Sequence, residues 1–317
     1  MAALLHDKRI LVTGGCGFIG SHLVEALWRD NQVVVVDNLS AGSLRNLSGW
    51  DVEFHQQDVA APLDEIMART DIVFHTAASV SVAVSVEDPA VDAATNIMGL
   101  LNVLNAARRH PVERLVFSSS TAVYGVAQYL PIDEAHPMDP ISPYGLTKLT
   151  GERYFRLFQK LEGLPAVCLR YFNVYGPRQR ANSPYSGVIS IFAQNAVEGR
   201  PSTIYGDGEQ SRDFVNVRDV VQANLLAAAA PADKAVGQAF NVGTGRAAPL
   251  NQLVELLGLP RDKVSYVPAR PGDIRASLAD IRWAEFMIGF RAAVTLEQGL
   301  KEYVAWRAAD LKSPAGR

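Results

Sequence analysis

The sequence predicts an α/β protein built on a doubly wound parallel sheet, followed by a smaller α/β region. Three observations carry that prediction. Short apolar runs alternate with helical patterns through the first half of the chain, as strand–helix–strand units do. A glycine-rich turn, Thr13-Gly14-Gly15-Cys16-Gly17-Phe18-Ile19-Gly20, joins the first run to the first helical pattern. An acidic residue, Asp37, closes the second run 17 residues beyond Gly20.

Ile10-Leu11-Val12 is the first buried-strand signal, and Ile19, Leu23 and Leu27 line one face of the helix after it. Two glycine spacings overlap between them: Gly15-x-Gly17-x-x-Gly20 and Gly14-x-x-Gly17-x-x-Gly20. Such glycines allow a tight turn, close approach of a pyrophosphate, and tight packing of helix on strand, with the pyrophosphate at a helix N-terminus. Residues 33–36 form the second strand. Asp37 at its end suits the ribose hydroxyls of an adenosine and repels a 2′-phosphate, favouring NAD over NADP. The alternative is a turn residue in Asp37-Asn38-Leu39-Ser40. Together these features predict a Rossmann-type cofactor half.

Residues 52–54 read as the third strand, with Asp58-Val59 placed to meet an adenine. Ile72-Val73-Phe74 is the fourth, and the small residues of His75-Thr76-Ala77-Ala78 let a cofactor pass close to the backbone. His75 reads as a packed or hydrogen-bonded histidine, since no partner has metal-ligand spacing to it. Residues 91–109 form one long helix containing Asn96, which either bonds locally or orients something at the site. Residues 114–117 are the fifth strand, ending in Ser118-Ser119-Ser120-Thr121. Ligands of open parallel sheets bind beyond the carboxyl ends of strands, so these hydroxyls should face the cofactor. For Ser118 and Ser119 a plain serine-rich turn is the other reading.

Ser142 is a good N-cap and Pro143 suits the first helical position, so a helix begins there. Tyr144 and Lys148 then fall one turn apart on one face. A cation so placed, with the helix N-terminus, should depress the phenol so that Tyr144 takes protons near neutrality. An amphipathic helix surface is the bland alternative. Residues 167–171 are the sixth strand, and regularity is lost at Asn173. The second region has helices at 188–197 and 217–230, a strand at 203–205, and a strand at 238–242 that returns to the main sheet. Residues 250–257, 264–267 and a last helix at 296–306 complete it. We expect a cofactor half over 1–172 that recovers the chain around 214–243, and a second half over 173–317.

The 317 residues are 48% hydrophobic and 20% charged, with a net charge of −3. That balance gives no reason to expect nucleic acid or an anionic membrane as partner. No apolar stretch approaches the roughly 20 residues that span a bilayer. Cys16 and Cys168 lie far apart and lack metal-ligand spacing, as in cytosolic proteins. The expectation is a cytoplasmic enzyme without a metal.

With the glycine loop, Asp37, Ser120 and the Tyr144/Lys148 pair placed, the chain resembles the extended short-chain dehydrogenase/reductases that act on nucleotide sugars. Asp37-Asn38-Leu39-Ser40, Phe117-Ser118-Ser119-Ser120, Ser142-Pro143-Tyr144-Gly145, Arg170-Tyr171-Phe172-Asn173 and Arg270-Pro271-Gly272-Asp273 are similar to UDP-glucose 4-epimerase motifs. The resemblance implies that Gly14, Gly17, Phe18, Ile19, Gly20, Asp37, Asn38, Ser40, Gly42, Asp58, Val59, Ala77, Ala78 and Asn96, with Ser118, Tyr144, Lys148 and Phe172, hold NAD. It implies a UDP-sugar on Ser120, Tyr144, Asn173, Val188, Tyr205, Arg212, Arg270, Asp273 and Ser277. Arginines suit a diphosphate because a guanidinium pairs bidentately, though each could equally serve a surface ion pair. A homodimer through the helices around 91–109 and 143–161 is implied as well.

By the same resemblance Ser120, Tyr144 and Lys148 are catalytic, and carbon 4 of a UDP-hexose is inverted through a transient 4-keto sugar. The 4,6-dehydratases of this group need an Asp-Glu pair after the active-site hydroxyl; here stand Thr121 and Ala122. Decarboxylases acting on UDP-glucuronate carry a Glu in that stretch, and none is present. UDP-glucuronate 4-epimerisation is the alternative, with Thr121, Arg180 or Arg275 as carboxylate site. A non-catalytic NAD-binding regulator is the alternative of another class. Ser277 stands where epimerases confined to plain hexoses carry a bulky Tyr, which leaves room for a 2-acetamido group.

Overall fold

The computed structural model describes residues 4–181, 187–269 and 273–312. Strands β1 (Arg9–Thr13), β2 (Gln32–Asp37), β3 (Glu53–Gln56), β4 (Ile72–His75), β5 (Arg114–Ser120) and β6 (Ala166–Tyr171) build the main sheet. The chain then makes β7 (Asn173–Tyr175), β8 (Ser202–Tyr205) and β9 (Ser211–Asn216) before β10 (Ala239–Val242) pairs with β6. The main sheet runs β10-β6-β5-β4-β1-β2-β3, and every pairing is parallel. Its order reverses between β1 and β4, the switch point at which open α/β sheets leave a crevice for ligand. Two small sheets follow, β11 (Ala247–Pro249) with β9 and β7, and β12 (Val264–Val267) with β8.

The helices are α1 (Phe18–Leu27), α2 (Asp64–Met67), α3 (Val82–Glu87), α4 (Pro89–Ala93), α5 (Leu100–Arg109), α6 (Pro143–Glu162), α7 (Val188–Glu198), α8 (Val217–Ala229), α9 (Ala232–Ala235), α10 (Leu250–Leu256), α11 (Arg282–Ile288) and α12 (Leu296–Lys312). Successive strand residues face opposite sides of the sheet. Ile10, Val12, Val33 and Val35 therefore pack under α1, α8 and α11, while Leu11, Val34, Val36 and Val73 pack under α2, α5 and α6. With both faces covered, the central strands need unbroken apolar runs, which is why they read so clearly in the sequence. A third core joins α7, α10 and α12 beside the small sheets.

Four sequence expectations need correction. The long helix at 91–109 begins at Pro89 and is interrupted by a π-helical turn, Ala94–Gly99, because Asn96 spends its side chain on buried partners inside the bundle. Ser118 and Ser119 are strand, not turn: they pair with Leu169 and Arg170 of β6. The third strand lies over Glu53–Gln56, since it is set by pairing with β2. β9 was not expected, its Ser-Arg-Asp start giving no strand period.

Candidate active site

The turn after β1 is held by close packing that only glycine permits. Gly14 has φ +72°, its N–H donates to Val36 O at 2.7 Å, and an added Cβ would sit 2.7 Å from Ala77 N. At Gly20 a Cβ would meet Gly14 O at 2.2 Å. Gly17 opens α1 with no side-chain cap, leaving the first-turn N–H groups and the positive end of the helix for an anion. Asp37 is buried, and its two oxygens accept from Cys16 N at 2.9 Å and Leu39 N at 2.7 Å. A carboxylate has further lone pairs, so Asp37 ties β2 to the glycine turn and keeps acceptor capacity for a ribose.

The rest of the expected cofactor set lies along the same sheet edge. Asn38 Nδ2 donates to Asp58 Oδ2 at 2.8 Å, and Asn38 Oδ1 accepts from Ser40 N and Oγ. Gly42 packs on Cys16, and its carbonyl accepts from Arg180 Nη2 at 3.2 Å. Val59 is buried against Gly99, and Ala77 N donates to Thr13 Oγ1 at 3.3 Å ahead of partly exposed Ala78. Phe18 stands edge-on to His22, while Ile19 packs on the core. A cradle that any Cβ would fill, an uncapped helix and an acid on the next strand together fit a dinucleotide with free ribose hydroxyls.

The chemistry-bearing pair sits across the switch point. Ser142 Oγ caps α6 by accepting from Gly145 N at 3.1 Å, with Pro143 in the first turn. Ser120 at the end of β5 stands by the Tyr144 hydroxyl, and Tyr144 N donates to Ser85 Oγ on α3. Lys148 is buried: Nζ donates to Ser118 O at 2.9 Å and lies 5.0 Å from the Phe117 ring centre and 5.9 Å from that of Tyr144. Burial pushes the Tyr144 phenol up to about 12, against the pull of Ser120 and with a further push from Asp92. Burial likewise brings Lys148 down to about 8, opposed by Asp92. The expected depression of the phenol is therefore not supplied by protein groups. Desolvation outweighs them, and the ammonium is spent on the Ser118 carbonyl.

Several partners were not singled out from the sequence. Asp92 on α4 accepts from Thr147 Oγ1 at 2.8 Å and from Asn96 Nδ2 at 2.9 Å. Asn96 also clamps Ser79, accepting from its N–H at 2.9 Å and donating to its carbonyl at 3.0 Å. The buried side chain thus bonds within its own helical stretch, to Asp92, and across to Ser79, fixing the loop after β4. Glu152 pairs with Arg170 in the interior. Asp92 and Glu152 are each one polar residue in a helical stretch, which leaves no pattern in the sequence. His75 hydrogen-bonds Thr13 Oγ1 and stacks on Phe117, and burial brings its pKa down to about 3.

On the other side of the crevice, Arg212 on β9 donates to Ser211 O at 3.0 Å and feels Asp273, while burial lowers its pKa. Asn173 Nδ2 donates to Asp213 O at 3.3 Å, and buried Ser277 donates its N–H to Ser211 O at 3.1 Å. These four residues converge on β9. Phe172 is packed with Val123, Tyr124, Ile132 and Ala279. Val188 starts α7 against the third core, and Tyr205 ends β8. Arg270 lies outside the described residues. Elsewhere, Arg178 pairs with Glu25 of α1 over the Trp50 ring, and Arg275 is held bidentately by Asp207. Among the described residues no cluster of His, Cys, Asp or Glu could hold a metal ion, and no helix is long and apolar enough to cross a membrane.

A family model described as the NAD dependent epimerase/dehydratase family matches residues 10–243. The UDP-glucose 4-epimerase of Mycolicibacterium smegmatis is 38% identical over 309 residues, covering 93% of this chain and 97% of that protein. Among solved structures, the UDP-N-acetylglucosamine 4-epimerase from Methanobrevibacter ruminantium M1, in complex with UDP-N-acetylmuramic acid, aligns with a TM-score of 0.92 at 40% identity. That match covers 96% of this chain and 99% of the other. The UDP-glucose 4-epimerase of Thermotoga maritima with UDP-glucose aligns with a TM-score of 0.89 at 41% identity, over 96% and 100% of the two chains.

Proposed function

The chain belongs to the NAD dependent epimerase/dehydratase family, and from that premise we propose that it inverts carbon 4 of a UDP-hexose. The observation that carries this reading is the convergence of Ser120, Tyr144 and buried Lys148 at the carboxyl end of β5. Tyr144 takes the proton of the sugar 4-hydroxyl, directly or through Ser120, and returns it after the 4-keto sugar has turned over. Ser120 holds the oxygen that becomes a carbonyl. When bound, NAD would supply the redox chemistry, a hydride taken from carbon 4 and returned to it with no net oxidation. Gly14, Gly17 and Gly20 admit its pyrophosphate, Asp37 takes its adenosine ribose, and Lys148 takes its nicotinamide ribose. Asn173, Arg212, Arg270 and Asp273 hold the UDP, so that the sugar alone turns.

Dehydration is disfavoured because Thr121 and Ala122, the short 3₁₀ turn directly after Ser120, offer neither acid nor base. UDP-glucuronate suits the chain less well than a neutral hexose. Arg275 is already paired with Asp207, and Arg180 reaches the Gly42 carbonyl. A regulator that binds NAD without turnover has no use for the intact Ser120–Tyr144–Lys148 set. Small Ser277, together with a 4-epimerase of UDP-N-acetylglucosamine among the similar structures, supports acetylated hexoses as further substrates. We also propose a homodimer.

Purified protein incubated with UDP-galactose and no added cofactor should yield UDP-glucose, and with UDP-N-acetylglucosamine its 4-epimer. Side-by-side assay with UDP-glucuronate ranks the third sugar. Absence of turnover in protein shown by nucleotide extraction to hold NAD would overturn the proposal.

A further inference from the structure

Three consecutive residues of β5 each reach the same helix. The Ser118 carbonyl accepts from Lys148 Nζ at 2.9 Å, Ser119 Oγ donates to Glu152 Oε1 at 2.5 Å, and Ser120 stands by the Tyr144 phenol. Tyr144, Lys148 and Glu152 recur at intervals of four, so they form one stripe along α6. Of the three, Tyr144 and Lys148 have a place in the proposed chemistry. Glu152, two turns from Tyr144, has none, yet it carries an ionised group into the interior.

Its charge is met from β6. Arg170 Nε donates to both Glu152 oxygens, at 2.9 and 3.2 Å, and Nη2 donates to Oε2 at 2.7 Å. Arg170 is fixed in turn by the Tyr124 hydroxyl at 2.8 Å and the Glu134 carbonyl at 3.3 Å. Such a buried pair is a poor source of stability, since apolar side chains of similar volume often do as well or better. α6 has apolar packing of its own: Gly151 lies against Phe117, and Phe155 stacks on the same ring at 4.7 Å. What the pair adds is direction. Apolar surfaces tolerate sliding, whereas a hydrogen bond weakens steeply within a few tenths of an ångström and loses its angle.

We propose that Glu152, gripped by Arg170, is a positioning residue that locks the register of α6 on β5 through Ser119 and so keeps Tyr144 against Ser120. The inference rests on Tyr144 being the acid–base group. The groups facing that phenol are Ser120 from β5, Asp92 from α4 and Lys148 from its own helix, with Ser85 of α3 at its backbone N–H. Ser120 is the neighbour that a slipped α6 would leave on β5, and its hydroxyl favours the phenolate.

The test uses NAD-loaded protein carrying 13Cζ-labelled tyrosine, with the Tyr144 resonance assigned by its loss in Tyr144→Phe. Ser119→Ala leaves the Glu152–Arg170 pair intact. It should move the Tyr144 titration midpoint up by about half a pH unit or more. It should also lower kcat for UDP-galactose about tenfold, with KM little changed. Ser119→Thr, which keeps the hydroxyl, should restore both. Glu152→Leu combined with Arg170→Met should keep a cooperative unfolding transition and its NAD while losing at least as much kcat. An unmoved Tyr144 midpoint in Ser119→Ala, equal shifts in the Ala and Thr variants, or a folded double variant with parental kcat would each overturn the inference. The titration needs no substrate. A parent that fails to turn over any UDP-sugar therefore counts against the proposed function, and an unmoved titration against the register lock.

Discussion

Asp92 carries a negative charge within reach of both members of the Tyr144–Lys148 pair and touches neither. It raises the phenol, which burial has already pushed to about 12, and it raises the ammonium, which burial has brought to about 8. Replacing it by the near-isosteric Asn keeps a partner for Thr147 and removes the charge. Both pKa values then fall. Tyr144 loses its proton at lower pH, so the acid limb of the kcat profile moves down. Lys148 also loses its charge at lower pH, so the alkaline limb moves down with it. Asp92→Asn should therefore displace the whole bell toward acid, measured as kcat against pH with UDP-galactose, whereas simple damage to the site would lower the curve in place. An alkaline limb that stays or moves up sinks this account. None of it was legible in the sequence, where Asp92 is the single acid of α4 and belongs to no motif. The Tyr-x-x-x-Lys spacing was legible, yet the sign of the phenol's shift was not, because desolvation depends on what the tertiary fold stacks around the ring.

The elements that sequence revealed are those whose pattern answers to a single demand. The strands at residues 10–12, 33–36 and 72–74 are apolar on both faces because helices cover both, and the glycine turn follows from one backbone crossing another. Elements answering to two demands stayed hidden. β9 spends Asp213 on Thr244 N and Oγ1, Gly245 N and Ala279 N, so its polar residues mask a strand. The π-helical turn keeps an apolar helix period while turning Asn96 inward to Ser79. The serines of β5 look like a turn until β6 lies beside them. The glycine turn also yields a sharp prediction. In Gly20→Ala the new methyl would lie 2.2 Å from the Gly14 carbonyl, so α1 must retreat from the turn. We expect a loss of about 1–3 kcal/mol by denaturant unfolding, the range for overpacking. We also expect little NAD in nucleotide released from the purified protein, because the helix terminus no longer meets the pyrophosphate. Parental stability with full NAD content would refute the cradle.

At the scale of the whole molecule the helical layer over α5 and α6 is two-sided. Its inner side packs on the sheet and carries Tyr144 and Lys148, while its outer side exposes Val91, Met98, Leu146, Leu157 and Leu161. Leu146 lies two residues from Tyr144, about 200° around the helix, and Leu157 and Leu161 continue that outward stripe. Leu161 is 71% exposed and Met98 59%, and large exposed apolar patches are rare on monomers. A second copy related by a two-fold axis offers the same stripe in return, and such a self-complementary face commonly closes a dimer. A stable one buries roughly 1,200–2,000 Å² in total, an area two helices per subunit can furnish. In the proposed dimer the consequence would reach the site, since the partner would press on the back of the helix that carries Tyr144. Leu157→Glu with Leu161→Glu should give monomers by light scattering, with NAD retained and the far-ultraviolet spectrum unchanged. Specific activity should fall several-fold and recover little at high protein concentration. A parent protein that is monomeric at micromolar concentration would remove the dimer, and a fully active monomeric variant would remove its link to the catalytic helix.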